Sequence, residues 1–478
     1  MAKRAESVAL RTDFSLLIGG SLEASDRHLD VINPALGEIF ARCPAATRDH
    51  LDRAVKAARA AFPAWRDKSF AERAALIKKM SQRLREKQNE LAELLTREQG
   101  KPLAQSVAEI DRGAAQSDGM VGIEIPVETL VDDKERHIEL RYRPLGVVGI
   151  ITPWNAPMSL ALGPLVSALY TGNTVVLKPS PYTPLTTLKF AELLNEVFPA
   201  GVVNVLAGGD DLGAWITEHA GIDKISFTGS VATGKKVLAS AAATLKRVTL
   251  ELGGNDPAIV MDDVDPKAIA KKIFFASFVN SGQVCMAIKR IYAHEKIYDA
   301  LCDALVAEAR KAKVGDGLDP ATDLGPIQNK MQYDKVVSII EDTKKRGARF
   351  LTGGDVPNGP GYFLPPMLVT NIDEGSRLVQ EEQFGPIVPI LKFSNLDDAL
   401  RRANDTRYGL SGSVWTSDVK RGAEIAAKLE VGTAWVNQHR ATSAFVPFGG
   451  AKESGLGRQY SALGLKSYME PEVVSIAK

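Results

Sequence analysis

From Leu145 onward the chain alternates short apolar runs with helical stretches, and this alternation constrains the fold more than any other feature. The first series of runs covers residues 147–151, 175–177, 202–206 and 225–227. Helical stretches such as 184–197 and 211–219 separate them. Strands and helices in steady succession call for a parallel sheet covered on both faces. A second series follows at 258–261, 290–293, 387–393, 413–415 and 433–436, with the change near Gly253-Gly254. The expected fold class is α/β, with two doubly wound α/β domains. A length of 478 residues agrees, because a single core does not grow to that size.

The first hundred residues read as helical. Thr47 suits an N-cap ahead of Leu51, Ala54, Val55, Ala58 and Phe62, which recur at helical spacing. Ser69 and Glu72 have the spacing of a capping box before Leu76, Ile77, Met80 and Leu84. A third helical stretch, with Leu91, Leu94 and Leu95, stops at Gly100 and Pro102. Residues 124–142 read as extended, with alternation over 137–142, and 471–477 read as a strand. The apolar stretch 150–168 contains Pro153, Asn155, Pro157 and Pro164, which argue against a membrane helix. A net charge of +1 gives no electrostatic ground for binding nucleic acid or an anionic membrane. Three cysteines make no disulfide framework, and residues 1–6 carry no apolar targeting run, so the cytoplasm is the expected location.

Cys285, in Asn280-Ser281-Gly282-Gln283-Val284-Cys285, lies among small polar residues where a substrate can reach its sulfur. Cys302 lies beside Leu301 and near Leu305 on a helix and reads as a small buried hydrophobe, and Cys43 has no catalytic neighbours. Thiol enzymes commonly use a histidine base. Here the six histidines fall in no motif and read as surface residues, so Glu251 is the candidate base. The two glycines after it let backbone pass close to a site, which weighs against an ordinary surface ion pair. No His/Cys cluster has metal-ligand spacing. Asn155 follows an apolar strand, where its amide can serve either a turn or an oxyanion. The stretch from Gly229 to Gly234, then Lys235 and Lys236, comes close to a P-loop, but Lys236 stands where magnesium needs a hydroxyl. It reads instead as a phosphate-binding helix N-terminus serving a dinucleotide.

Taken in order, Thr152-Pro153-Trp154-Asn155, Lys178-Pro179-Ser180, Phe227-Thr228-Gly229-Ser230, Leu250-Glu251-Leu252-Gly253-Gly254, the Cys285 stretch and Glu382-Gln383-Phe384-Gly385-Pro386 resemble the aldehyde dehydrogenase superfamily, in its hydrolytic, non-acylating branch. The resemblance runs from about Val31 to Tyr468. It implies NAD or NADP as cofactor and a small-molecule aldehyde as substrate. Cys285 would attack the aldehyde, Asn155 and the Cys285 amide would hold the oxyanion, and Glu251 would activate water against the thioester. Trp154, Lys178, Ser180, Thr228, Gly229, Ser230, Gly234, Glu382 and Phe384 would bind the cofactor, Lys178 at the adenosine ribose and Glu382 at the nicotinamide ribose. The implied division is a cofactor domain of residues 1–122 and 145–252, a catalytic domain of 253–460, and an oligomerisation arm of 123–144 and 461–478 in a homodimer or homotetramer. A coenzyme A-acylating relative, a succinic-semialdehyde type and a P-loop nucleotide hydrolase are the alternatives.

The same resemblance points to a substrate pocket of Ala156, Leu160, Gly163, Met286, Arg440 and Phe448. Many relatives carry aromatic residues at the positions of Ala156 and Gly163. Their absence predicts a widened, mostly apolar pocket lined also by Met158 and Leu162, and hence medium-chain or aromatic aldehydes. His439 and Arg440 are the polar exceptions there. NAD-preferring relatives often place a glutamate three residues after the lysine; Pro181 stands there in this chain, which predicts use of both nucleotides.

Overall fold

The computed structural model describes residues 11–478; the stretch 1–6, read above for a targeting run, lies outside the described residues. One sheet has eight strands, in the order Ser21–Glu23, Leu16–Ile18, Val203–Val205, Thr174–Lys178, Val147–Ile151, Lys224–Thr228, Arg247–Glu251 and Gly455–Leu456. The five from Val203–Val205 to Arg247–Glu251 are parallel. Val147–Ile151, Thr174–Lys178 and Lys224–Thr228 are buried at every residue, as expected of strands with helices on both faces. Chain order reverses at Val147–Ile151: the next two strands lie on one side of it, and Lys224–Thr228 lies on the other. Ligands of open parallel sheets bind beyond the carboxyl ends at such a reversal.

The second sheet has seven strands, in the order Arg349–Phe350, Met367–Thr370, Ile387–Phe393, Ile288–His294, Asp256–Val260, Ser411–Trp415 and Thr433–Val436. All its pairings are parallel except the one made by Arg349–Phe350 at the edge. Both series of apolar runs thus become parallel sheets, as the alternation predicts. A third, antiparallel sheet joins Met469–Ala477, Arg136–Pro144 and Glu128–Asp132. No helix among the described residues is long and apolar enough to cross a membrane.

The three expected early helices form as Arg48–Arg66, Phe70–Glu86 and Gln88–Gln99. Ser69 and Glu72 exchange the reciprocal capping bonds, with Ser69 N–H donating to Glu72 at 2.8 Å. Gly100 ends the third helix at φ 94°, a left-handed value that favours glycine.

The helical reading fails before Thr47. Leu16–Ile18, Ser21–Glu23, His28–Asn33 and Glu38–Pro44 are strands. The first two form a hairpin across Gly19 and Gly20, both at positive φ, and extend the edge of the first sheet. The Leu-Leu-Ile-Gly-Gly run was the available signal: an apolar triplet before a two-residue glycine turn marks a hairpin. A second departure concerns the C-terminal part. Gly455–Leu456 pairs with the end of Arg247–Glu251, and Trp435, Phe448 and Tyr460 join the core of the first sheet. Tyr468 is buried there too, its hydroxyl 3.1 Å from Ser226 Oγ.

Candidate active site

Parallel strands deliver their carboxyl ends to one edge. Four of the sequence motifs therefore emerge together around the reversal point: Trp154 and Asn155, Lys178 to Ser180, Thr228 to Ser230, and Glu251 to Gly254. Cys285 arrives from the second sheet, just before Ile288–His294.

The turn before Cys285 is strained. Asn280, Ser281 and Gly282 take φ values of 52°, 54° and 74°. Such conformations persist only where surrounding contacts impose them. Ser281 Oγ donates to Gly325 O at 2.6 Å, and Gln283 Oε1 accepts from Gln328 N–H at 2.8 Å. The Asn155 side chain donates from Nδ2 to Gln283 O at 3.0 Å, which ties the two motifs together and leaves its second N–H for another acceptor.

Asn155 is held from behind by groups that sequence reading missed. Its carbonyl accepts from Lys101 Nζ at 2.9 Å and from Asn280 Nδ2 at 3.0 Å. Buried Lys101 pairs with buried Glu109. Glu109 Oε1 in turn accepts from Met158 N–H at 2.9 Å and Ser159 N–H at 3.2 Å. Those amides open the helix Pro157–Tyr170, whose N-cap position is Ala156, a residue unable to cap. Glu109 supplies the cap from a different helix. Glu109→Gln leaves the Lys101 charge buried without its counter-ion, so we expect it to destabilise the protein by about 3–5 kcal/mol, read as a lower denaturant midpoint. Replacing both partners by apolar residues should recover little of that loss, because the Met158 and Ser159 amides and the Asn155 carbonyl would lose these partners.

Cys285 is half-buried, and burial pushes its thiol up to about 12. Lys289 pulls the other way, whereas Glu382, Asp256 and Glu251 add to the rise. The resting thiol is therefore protonated and needs a base when substrate arrives. Lys289 is a second missed residue: a lysine inside an apolar strand. Its ammonium donates to Val284 O at 3.0 Å and to Cys285 O, and lies 3.4 Å from Glu382 Oε1.

Glu251 ends its strand 5% exposed, and neither carboxylate oxygen has a hydrogen-bond partner. Burial raises its pKa well above the ordinary carboxylate range, with Arg458 as a partial offset. Buried carboxylates are normally paired, and an orphaned one in a cleft is a mark of function. The glycines near it are space requirements. A Cβ on Gly254 would come within 2.7 Å of Cys285 O, and one on Gly449 within 2.9 Å of Glu251 Oε1. A Cβ on Gly253 would run into the Glu382 carboxylate.

The residues expected to hold a dinucleotide lie along the same edge. Lys178 is buried, with Pro179 O at 3.3 Å as its hydrogen-bond partner. Burial lowers its pKa to about 8, opposed by the nearby Asp210 and Asp211 carboxylates. Ser180 is buried and accepts from Tyr182 N–H at 3.3 Å. Thr228 is buried, and Gly229 N–H donates to Glu251 O at 3.0 Å. Ser230 caps the helix Val231–Ala242 by accepting from Thr233 N–H at 3.2 Å. Gly234 lets that helix close on Leu252, which a Cβ would meet at 2.6 Å. Glu382 Oε1 accepts from Gly254 N–H at 3.0 Å, and the Trp154 and Phe384 rings meet edge to face at 5.3 Å. An underused buried cation and a capped helix N-terminus suit an anionic dinucleotide, so the residues present fit the group.

The pocket expectations need correction at four places. Gly163 does not open space: its absent Cβ would lie 3.3 Å from the Tyr460 hydroxyl, so Tyr460 fills the position that an aromatic residue at 163 would occupy. Met158 and Leu162 are fully packed in the core and line nothing. His439 is no surface residue: its Nε2 lies 2.9 Å from Met286 O, its ring packs on Trp435 at 4.8 Å, and burial draws its pKa down to about 3. Ala156, Leu160 and Met286 stay partly exposed, and Phe448 is buried. Arg440 is partly buried at φ 64°.

Residues 22–474 match the model of the aldehyde dehydrogenase family. The aldehyde dehydrogenase LUC3 of a Fusarium species is 38% identical to this chain, over 98% of this chain and 99% of its own. The aldehyde dehydrogenase of Bacillus cereus, solved as a NAD+ complex, superposes with a TM-score of 0.95 at 37% identity, covering 97% of this chain and 96% of that one. A lactaldehyde dehydrogenase superposes with the same score at 32% identity, covering 98% of this chain and 100% of its own. With the sheets, the reversal point and the order of motifs in agreement, the chain belongs to the aldehyde dehydrogenase family, and it is an oxidoreductase that acts on aldehydes with NAD(P)+.

Proposed function

We propose that the protein oxidises an aldehyde to the free carboxylic acid through covalent catalysis at Cys285. The observation that carries this reading is the orphaned Glu251 carboxylate, buried and with a raised pKa beside a protonated thiol. The Cys285 proton passes to solvent water, and the thiolate attacks the aldehyde carbon, forming a C–S bond as the carbonyl π pair moves to oxygen. The oxyanion of the thiohemiacetal lies against the second N–H of Asn155 and the Cys285 amide. Such a donor lowers a barrier by roughly 3 kcal/mol. The nicotinamide, when bound, supplies the acceptor for the hydride that leaves this carbon. A thioester on Cys285 remains. Glu251 then takes a proton from water as it attacks, the C–S bond breaks, and the acid departs.

A coenzyme A-acylating reaction is the second reading, because the first half of the chemistry is the same. The buried base favours water as acceptor. Incubation with NAD+ or NADP+ and a panel of aldehydes, following reduced nicotinamide and product, tests both readings. We expect the free acid with no need for coenzyme A; acyl-coenzyme A as the main product would overturn the hydrolytic assignment.

Partly exposed Leu160 and Met286 support an apolar substrate body, medium-chain or aromatic. Two separate sheets, the second built from strands between residues 256 and 436, support a cofactor and a catalytic domain divided at 252/253, with the strand Gly455–Leu456 lent to the first sheet. The three-stranded sheet exposes Leu130, Val473 and Ile476, which suits an arm that joins copies into a dimer or tetramer in the cytoplasm.

For the nucleotide, no carboxylate stands three residues after Lys178, since that position is Pro181. We expect both NAD+ and NADP+ to be used. A kcat/KM preference for NAD+ beyond roughly a thousandfold, about 4 kcal/mol, would mean that Asp210 or Asp211 repels the extra phosphate in place of the missing glutamate.

A further inference from the structure

We infer that Arg440 and Arg112 form an anion-recognition subsite in the substrate channel, so that the preferred aldehyde carries a carboxylate at the end remote from its carbonyl. The inference rests on the reading above, in which Cys285 marks the carbonyl end.

Other buried arginines in this protein are satisfied. Arg73 donates to Tyr170 O and Arg66 O, and Arg290 to Asn255 O and Ala403 O. Arg440 is different: its Nε is buried with no hydrogen-bond partner. Among the described residues neither Arg440 nor Arg112 has a carboxylate within ion-pair distance. The backbone at Arg440 is left-handed, at φ 64°, a conformation uncommon for a non-glycine residue and found where surroundings or function require it. Its neighbour His439 holds the loop to Met286 O, one residue from the nucleophile.

Arg112 is an exposed residue of the helix Leu103–Met120. It lies two turns before Gly119 and so shares its face. A Cβ on Gly119 would be 2.9 Å from Ala444 Cβ, in the loop that carries Arg440. Next to Arg112, Gly113 packs on Leu162 of the helix Pro157–Tyr170, which also carries Gly163 under the Tyr460 hydroxyl. The two helices therefore pack close to the loop that carries Arg440 and to Tyr460. The charges sense one another as well: burial first, and then Arg112, lower the Arg440 pKa to about 10, while Cys285 opposes the fall. The buried Arg440 Nε lacks a partner, and a second like charge on exposed Arg112 adds to its cost until an anion joins them. A carboxylate fits the planar fork of donors that arginine presents. The body between carboxylate and aldehyde meets the apolar residues already named.

The test compares matched pairs: hexanal against adipic semialdehyde, and benzaldehyde against its para-carboxylate. We expect the carboxylated member of at least one pair to have a kcat/KM about tenfold or more higher, chiefly through KM. Arg440→Gln should cut that preference about tenfold or more, the effect of one charged hydrogen bond. Arg440→Lys should retain part of it, and Arg112→Gln should have a smaller effect. The preference is a ratio within one variant, so a general loss of turnover does not affect it. Equal or better use of the neutral member in both pairs, or an unchanged ratio in Arg440→Gln, overturns the subsite. If no aldehyde of either kind is oxidised, the catalytic reading fails instead. Calorimetric binding of adipate to the parent protein, and its loss in Arg440→Gln, then still decides the role of the arginines.

Discussion

Cys285→Ala is expected to lower aldehyde oxidation by about four orders of magnitude or more while nucleotide binding persists. Removal of a covalent nucleophile eliminates the bond on which both half-reactions depend, and single losses of this kind approach the effect of removing the whole catalytic set. The geometry makes the substitution clean. The strained turn at Asn280, Ser281 and Gly282 is held by Ser281, Gln283 and the carbonyl contacts of Lys289, none of which uses the sulfur. Alanine therefore keeps the backbone, and the Lys178 and Ser230 regions are untouched. Binding of NAD+ by calorimetry and steady-state rates on a good aldehyde are the two measurements. Residual turnover within tenfold of the parent would mean that another group attacks the aldehyde.

Glu251→Gln is expected to split the reaction in two. The first turnover releases up to one reduced nicotinamide per site, and then the thioester stalls. General-base assistance is typically worth about 10²–10⁴-fold, so the steady rate should fall by that range while the burst remains. The pH dependence is a second signature. Burial raises the Glu251 pKa, so the carboxylate form fills only as pH rises and the deacylation rate should climb toward alkaline pH. In Glu251→Gln that limb should be lost from the steady rate. The burst should still depend on pH, because the Cys285 thiol is also raised, to about 12. Steady turnover at the parent rate, or an unchanged pH limb, would remove Glu251 from the role of base.

Much of this protein can be read from its sequence. The two series of apolar runs dictated two parallel sheets, because a strand buried on both faces must be apolar at nearly every position, and that pattern is local. Ser69 with Glu72, and Gly100 after Leu95, marked helix ends for the same reason: capping partners lie within one turn of each other. The motifs at Trp154, Thr228 and Glu251 were visible at strand ends, and parallel strands bring such ends to one edge.

Other features depended on partners far apart in the chain, and no window of sequence contains them. Glu109 caps a helix that begins at Pro157, and Lys101 holds the carbonyl of Asn155; each is an unremarkable charge until the helices pack. Lys289 reads as a charge misplaced in an apolar strand, and only the fold brings its ammonium to 3.4 Å from Glu382 Oε1. The widened pocket inferred from Gly163 followed from local reasoning about one missing side chain, and Tyr460, nearly three hundred residues on, fills the space. The same holds for His439 and Arg440. Their burial, and the absence of a partner for the Arg440 guanidinium, arise where a loop from one sheet closes over two helices of the other. Local periodicity and capping chemistry determined the elements and their faces. The tertiary structure decided which charges are paired, which are buried alone, and what shape the substrate meets, because desolvation and ion pairing depend on every surface that surrounds a group.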